Sequence, residues 1–279
     1  MSLKLSTSNH DRKIFKGKYI YPVVSRRAGG LSLGINLNTN NACNWQCIYC
    51  EVPNLTRGKP EAINLNQLQE ELIYWLEQIL RYEFLENHTD PGTAFNDIAF
   101  SGNGEPTAAS EFGEAIKIVT EQIYHFQLEN SITVRLITNG SYLDKPVTHK
   151  AWSQLENLQR EIWFKIDAID PVDCMQINQI NLSRKSVESN LNAALQISPT
   201  IIQTCLIKIN GQLPTETAIN NYVDFLRPFV NKLTGIHLYS LARPTEQKSP
   251  LLIERLTNNE LTTIADKIKK LNISIRTFL

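Results

Sequence analysis

The 279 residues hold no apolar run near the ~18 residues that span a bilayer, and no net charge, since Lys+Arg and Asp+Glu both number 28. The first absence leaves no membrane partner to expect. The second excludes a chain coated in positive charge for nucleic acid, though not a local basic patch. An export signal is also missing. Lys4 could open an n-region, but the polar run Ser6 to Lys13 stands where an apolar h-region belongs. A cytoplasmic setting is therefore expected, where thiols stay reduced. Internal repeats and low-complexity tracts are absent, and the flexible stretch expected is 244–250, PTEQKSP. Cysteine is scarce, with five in the whole chain.

Three of those five crowd into one loop: Cys43-Asn-Trp-Gln-Cys47-Ile-Tyr-Cys50. Thiolates are soft ligands that select zinc, copper(I) or iron–sulfur clusters. A structural zinc site closes on four protein ligands; three thiolates from one loop leave a coordination position open. The alternatives are a zinc site that borrows a histidine and a fortuitous spacing. No histidine lies within thirty residues of the triplet, which weakens the zinc reading. Cys174 and Cys205 read as buried, inert thiols.

Strand-like and helix-like segments alternate from about residue 31. Strands are expected at 31–37, 97–100, 132–137, 161–166, 201–207 and 236–240, with a last one at 273–279. Helices are expected at 65–84, near 109–127 and 184–197, at 215–232 with a kink at Pro228, and from a Thr257–Glu260 capping box to Leu271. On the 65–84 helix, Asn64 reads as the cap and Leu65, Leu68, Leu72, Leu76, Ile79 and Leu80 as the buried stripe. Six strand-then-helix units imply a parallel sheet with right-handed crossovers. Ligands gather at the C-terminal ends of such strands. The cysteine loop follows the first strand. Ser101-Gly102-Asn103-Gly104-Glu105-Pro106 ends the second, Asn139 the third and Asp167 the fourth. The two glycines would let a backbone approach a ligand, and Glu105 could accept from an ammonium group. Asn139 and Asp167 could equally cap the helices that follow. Gln203, Thr204, His237 and Tyr239 lie further round, His237 reading as a core histidine or a catalyst.

The C-x3-C-x2-C spacing with Tyr49 before the last cysteine resembles the defining motif of the radical S-adenosylmethionine (SAM) superfamily, and SGNGEP is similar to that family's "GGE" motif with Asn103 inserted. The resemblance implies a partial (β/α)6 barrel, open on one side, with a short basic N-terminal extension (1–30), the barrel itself (31–245) and a C-terminal helix and strand packed on it (246–279). It implies a four-iron four-sulfur cluster on Cys43, Cys47 and Cys50. It implies SAM held by Tyr49, Gly102, Asn103, Gly104, Glu105, Asn139 and Asp167, and an external one-electron reductant such as flavodoxin or ferredoxin. SAM would be cleaved reductively to a 5′-deoxyadenosyl radical that abstracts hydrogen from a substrate. The stretches SRRAGGLSLGINL, LITNG, WFKID and HLYSLARP together look like a subgroup related to the catalytic domain of the tRNA wyosine-base (4-demethylwyosine) synthase. The flavin-binding domain and the second cysteine triplet found among those enzymes are not visible in these residues. The rival reading from another class is a non-enzymatic zinc or iron–sulfur scaffold.

Charge adds one more expectation. Residues 1–30 carry Lys4, Arg12, Lys13, Lys16, Lys18, Arg26 and Arg27 against Asp11 alone, a balance of +6 set against −6 elsewhere. That suits a solvated arm, or an arm that faces tRNA or another anionic substrate. Arg26 and Arg27, beside glycines, suit surface salt bridges or a substrate carboxylate or phosphate.

Overall fold

Runs of branched and aromatic residues form the strands, and amphipathic segments the helices between them. The structure, a computed structural model, describes residues 4–6 and 17–279. Of the basic arm, Asp11, Arg12, Lys13 and Lys16 lie outside the described residues. In chain order the elements are β1 (Ile20–Ser25), β2 (Gly30–Ile35), the two-residue β3 (Ala42–Cys43) and β4 (Thr56–Arg57), α1 (Leu65–Arg81), α2 (Phe84–His88), β5 (Phe95–Phe100), α3 (Phe112–His125), β6 (Thr133–Thr138), α4 (Pro146–Ser153), β7 (Arg160–Lys165), α5 (Pro171–Asn178), α6 (Arg184–Ile197), β8 (Thr200–Cys205), β9 (Ile207–Ile209), α7 (Glu216–Leu226), β10 (Gly235–Tyr239), β11 (Ile253–Arg255), α8 (Asn258–Ile268) and β12 (Ile275–Phe278).

Eight strands form one sheet in the order β1-β2-β5-β6-β7-β8-β10-β12. Every pairing from β2 to β12 is parallel, and β1 closes the edge antiparallel to β2. The sheet curls. Arg27, in the β1–β2 turn, donates from Nη1 to the side-chain oxygen of Gln203 on β8 at 2.5 Å. In a flat sheet β2 and β8 would lie about 19 Å apart, four strand spacings, beyond the reach of an arginine. The half-barrel of six strand–helix units expected from the sequence is therefore present, extended by β1 at one edge and β12 at the other.

Alternation along the strands sorts residues between two faces. Leu31, Leu33, Ile35, Ile98, Phe100, Val134, Leu136, Ile162, Phe164, Ile202, Ile236 and Leu238 lie under the helices in the main core. The other face, the concave one, carries Ser32, Asp97, Arg135, Glu161, Trp163, Lys165, Gln203, His237 and Tyr239. The barrel thus has an apolar outer layer and a polar, aromatic lumen.

Several boundaries differ from the sequence expectation. The edge strand β1 was read as part of the basic extension, because Pro22 and the flanking cations hide its pattern. Glu71 of α1 anchors it, accepting from the amides of Lys18, Tyr19 and Ile20 at 2.8–3.0 Å. The first helix ends at Arg81 rather than 84; Leu80 is exposed, and Trp75 lies buried on the face instead. Asn64 caps that helix as expected, accepting from Gln67 N at 3.1 Å. Pro228 falls in a 3-10 turn after α7. The Thr257–Glu260 capping box forms, and Asn272 adopts the left-handed conformation that ends the last helix.

Candidate cofactor site

Asparagines build the stem of the cysteine loop. At the end of β2, Asn36 Oδ1 accepts from Asn38 N (3.1 Å) and from Asn103 N (3.0 Å). Asn38 Nδ2 donates to the carbonyl of Ala42 at 3.0 Å and, more weakly, to that of Glu105. Asn41 takes a positive φ of 55°, its amide donates to Pro53 O, and its side-chain oxygen accepts from Asn103 at 2.6 Å. This scaffold was not anticipated, although the run Asn36-Leu-Asn-Thr-Asn-Asn41 directly before the cysteines was its signal. Five short polar side chains suit a turn-rich stem by bonding their own backbone.

Beyond the stem, the loop is docked rather than free. Backbone bonds run from Gln46 N to Asn178 O (3.3 Å) and from Ile48 N to Ile177 O (2.9 Å), tying it to the end of α5. Ile48 and Tyr49 pack with Cys205, Ile207 and Leu241 in a second apolar cluster. Cys50 O accepts from Thr245, Glu246 and Gln247. Residues 244–250, expected to be flexible, here clasp the last cysteine.

Cys43, Cys47 and Cys50 are outside any disulfide, each partly buried. The amide of Asn178 donates to Cys47 Sγ at 3.2 Å, and the Trp45 N–H to Cys43 Sγ at 3.5 Å. Burial pushes the Cys43 thiol up to about 11 and that of Cys47 up to about 12. A bound cation would favour the thiolate form of both. Among the described residues no three His, Cys, Asp or Glu side chains are grouped to hold one ion. A four-iron cluster makes a different demand, single thiolates on separate irons. Three thiols on one docked loop, outside any disulfide, fit three of those irons and leave the fourth open, and hydrogen bonds such as those to Cys43 and Cys47 are among the features that tune such clusters.

The glycines of SGNGEP answer to the stem. A Cβ on Gly104 would sit 2.2 Å from Ala42 O and 2.6 Å from Asn38 Nδ2, and one on Gly102 (φ 142°) would sit 2.4 Å from Asn36 Oδ1. The close approach they permit is between two loops. Glu105, 2% exposed, accepts from Thr107 N (3.2 Å), Thr107 Oγ1 (2.5 Å), Thr138 Oγ1 (2.6 Å) and Asn139 N (2.7 Å). Burial nonetheless raises its carboxyl above the usual range, against the pull of those donors. Asn139 donates to Asn44 Oδ1 at 2.9 Å and accepts from Ser141 N. Asp167, fully buried, accepts from Tyr49 OH at 2.5 Å, Asn178 Nδ2 at 2.8 Å and Cys205 N at 2.9 Å, with Lys165 Nζ at 3.6 Å. Neither Asn139 nor Asp167 caps the helix after its strand; Lys145 and Asp170 stand at those positions. The structure thus brings all ten sequence-nominated residues to one end of the barrel, with Tyr49, Glu105 and Asp167 each engaged by protein partners. Between the loop and the ends of β6 and β7 lies a small cleft, lined by Trp45, Asn139, Phe164, Lys165, Asp167 and Asn178 among others.

Below this site the lumen is charged. Arg135 pairs with Asp97 and, at 3.0 Å, with Glu161. Burial lifts the Asp97 carboxyl despite Arg135. Burial also works against the Lys165 ammonium, but Asp167, Tyr239 and nearby thiols leave its proton held more tightly than usual. His237 stands between Trp163 and Phe278, with ring centroids at 5.4 and 5.1 Å, as a core residue.

The parallel half-barrel is shared with solved structures of radical SAM enzymes. A radical SAM methyltransferase from Sphaerobacter thermophilus superposes with a TM-score of 0.58 over 93% of this chain and 69% of its own, at 13% identity. SuiB of Streptococcus suis, solved with S-adenosylmethionine bound, gives 0.54 over 91% of this chain and 49% of its own, at 12% identity. No family model matches. By sequence, a UPF0026 protein of Helicobacter pylori strain J99 is 27% identical over 84% of this chain and 69% of its own length. A protein of Brachyspira hyodysenteriae named GTPase Obg is 33% identical over 142 residues, half of this chain but only 18% of that protein. No helix among the described residues is long and apolar enough to cross a membrane.

Proposed function

We propose that this chain is a radical SAM enzyme, with Cys43, Cys47 and Cys50 holding a four-iron four-sulfur cluster and SAM seated between that loop and the ends of β5, β6 and β7. The observation that carries the reading is the docked loop itself: three thiols outside any disulfide at C-x3-C-x2-C spacing, fastened over the strand ends where such folds bind ligands. The SAM bound to SuiB, a structure of the same fold, supports the choice of cosubstrate. When bound, the cluster supplies an electron that splits SAM into methionine and a 5′-deoxyadenosyl radical, which takes a hydrogen atom from the substrate.

The chain's own work is placement. Tyr49, held by Asp167, fixes the height of the loop above β7. Glu105 and Asn139 lock the turns after β5 and β6 to each other and, through Asn44, to the loop. Gly102, Asn103 and Gly104 bring that turn against the stem, so their backbone borders the SAM position. Trp45 and Phe164 line the cleft beside the loop. A flavodoxin or ferredoxin in a reducing cytoplasm is the electron source this chemistry needs. The resemblance to wyosine-base synthase makes a tRNA base the first substrate to try.

Anaerobic reconstitution tests the reading. The protein should take up about four irons per chain, lose them when Cys43, Cys47 or Cys50 is changed to Ala, and release 5′-deoxyadenosine from SAM with dithionite. Stoichiometric zinc without iron would overturn it.

A further inference from the structure

The β1–β2 turn carries two arginines, neither of which forms an ion pair with a described residue. The turn is firmly built: Gly29 N donates to Ser25 O at 2.8 Å, Ala28 N to Ser25 Oγ at 3.1 Å, and Asn96 Nδ2 to Ala28 O at 2.9 Å. The guanidinium of Arg27 enters the lumen, 4.5 Å from the ring centroid of Tyr239 and 5.8 Å from that of Trp163. Its hydrogen-bond partner there is the neutral side-chain oxygen of Gln203. Arg26 is partly buried and makes no hydrogen bond or ion pair with any described residue. Burial and the like charges of Arg27, Arg255 and Arg243 lower its pKa, with Glu51 pulling the other way.

The neighbouring cations are treated differently. Arg135 has Asp97 and Glu161, Lys165 has Asp167, Arg243 has Glu51 and Lys208 has Glu260. A second and independent sign lies on β8. An arginine only donates, so Gln203 must turn its oxygen to Arg27 and its NH2 group away. That Nε2, on a fully buried residue, has no acceptor. A buried donor without a partner is rare and calls for a missing acceptor.

We propose that Arg26, Arg27 and the Gln203 amide form an oxyanion subsite in the lumen, and that the substrate carries a carboxylate or phosphate group bound there. The assignment rests on reading the lumen as the substrate chamber of the proposed enzyme. Guanidinium forks match two-oxygen anions in geometry as well as charge. Stacking on Tyr239 holds one fork ready, so little side-chain freedom is lost on binding. The position also suits the chemistry. Glu51, which pairs with Arg243 and is close enough to act on Arg26, directly follows Cys50, so an anion bound by these arginines would sit beside the end of the cysteine loop.

The test uses the reconstituted full chain and three probes: inorganic phosphate, acetate and fluorescently labelled bulk tRNA. Binding is read by thermal shift for the small anions and by anisotropy for tRNA, and 5′-deoxyadenosine release is measured on the same preparation. Phosphate or acetate should raise the melting temperature saturably. Arg26→Gln, which removes no hydrogen bond or ion pair, should keep the parent's unliganded melting temperature and weaken that response by about tenfold. Arg27→Lys should weaken it too, since charge survives but the fork does not. Phosphate that displaces tRNA identifies an RNA phosphate; acetate binding without tRNA binding identifies a carboxylate-bearing small molecule. No response to either anion, or an undiminished response in Arg26→Gln, overturns the subsite. Because SAM cleavage is scored separately, a protein that releases 5′-deoxyadenosine yet ignores anions refutes the subsite alone. One that binds anions but never cleaves SAM refutes the enzyme reading instead.

Discussion

Glu105 receives four hydrogen bonds from three residues on two strand-end turns. Glutamine there would set an NH2 group against a donor, at a cost of about 1–3 kcal/mol for the unmatched pair. The expected outcome for Glu105→Gln is a lower melting temperature by calorimetry with no SAM present; a residue that served SAM alone would leave that temperature unchanged. His237 gives a prediction in pH. Burial, then Arg276, Arg27 and Arg135, lower it to about 3 from the usual 6.5. The unfolded chain therefore binds a proton that the folded chain refuses across that window, so stability is full above pH 6.5 and declines as pH falls towards 3, by up to about 1.4 kcal/mol per unit. In urea titrations between pH 7 and 5, His237→Phe should show a shallower decline than the parent; parallel curves would exclude the assignment. At this scale the placement of the cysteines, Tyr49, Glu105, Asn139 and Asp167 at strand ends was legible in the sequence, because position after a strand is a local signal. Their partners were not. Asn178 reaches Cys47 from 131 residues away, and only folding makes them neighbours.

Among the elements, the parallel strands could be read because branched and aromatic residues recur along them on the helix-covered face. β1 could not, with a proline and a basic flank; nor could α5, whose sequence PVDCMQIN shows no apolar stripe although its end seats the cysteine loop. Two predictions belong here. Glu71→Ala removes the acceptor for three successive backbone amides at the start of β1. Hydrogen exchange should show lost protection at 18–25 while β6 and β7 keep theirs, a local cost of about 1–3 kcal/mol. Gly104→Ala should lower the melting temperature and the iron content together. Its Cβ would strike the Ala42 carbonyl, and overpacking of this kind costs about 1–3 kcal/mol. Unchanged iron uptake in that variant would show that the 101–106 turn does not set the shape of the loop.

For the whole molecule, the curl of the sheet decides what can be reached from where. It turns a row of strands into a chamber, puts the β1–β2 turn within reach of β8, and leaves the polar face of six strands looking inward. The docking of residues 46–48 on the end of α5 has a consequence of another kind. Small zinc domains are unfolded without their ion, because the metal alone gathers their ligands. Here two backbone hydrogen bonds, the Asn178 amide, an apolar seat and the clasp of residues 245–247 gather the loop with no metal at all. If the protein holds the proposed cluster, its loss to oxygen should leave a folded, protease-resistant shell that can be refilled. Damage would be reversible: air would silence the protein without condemning it to degradation, and fresh iron and sulfide would restore it without any need to refold.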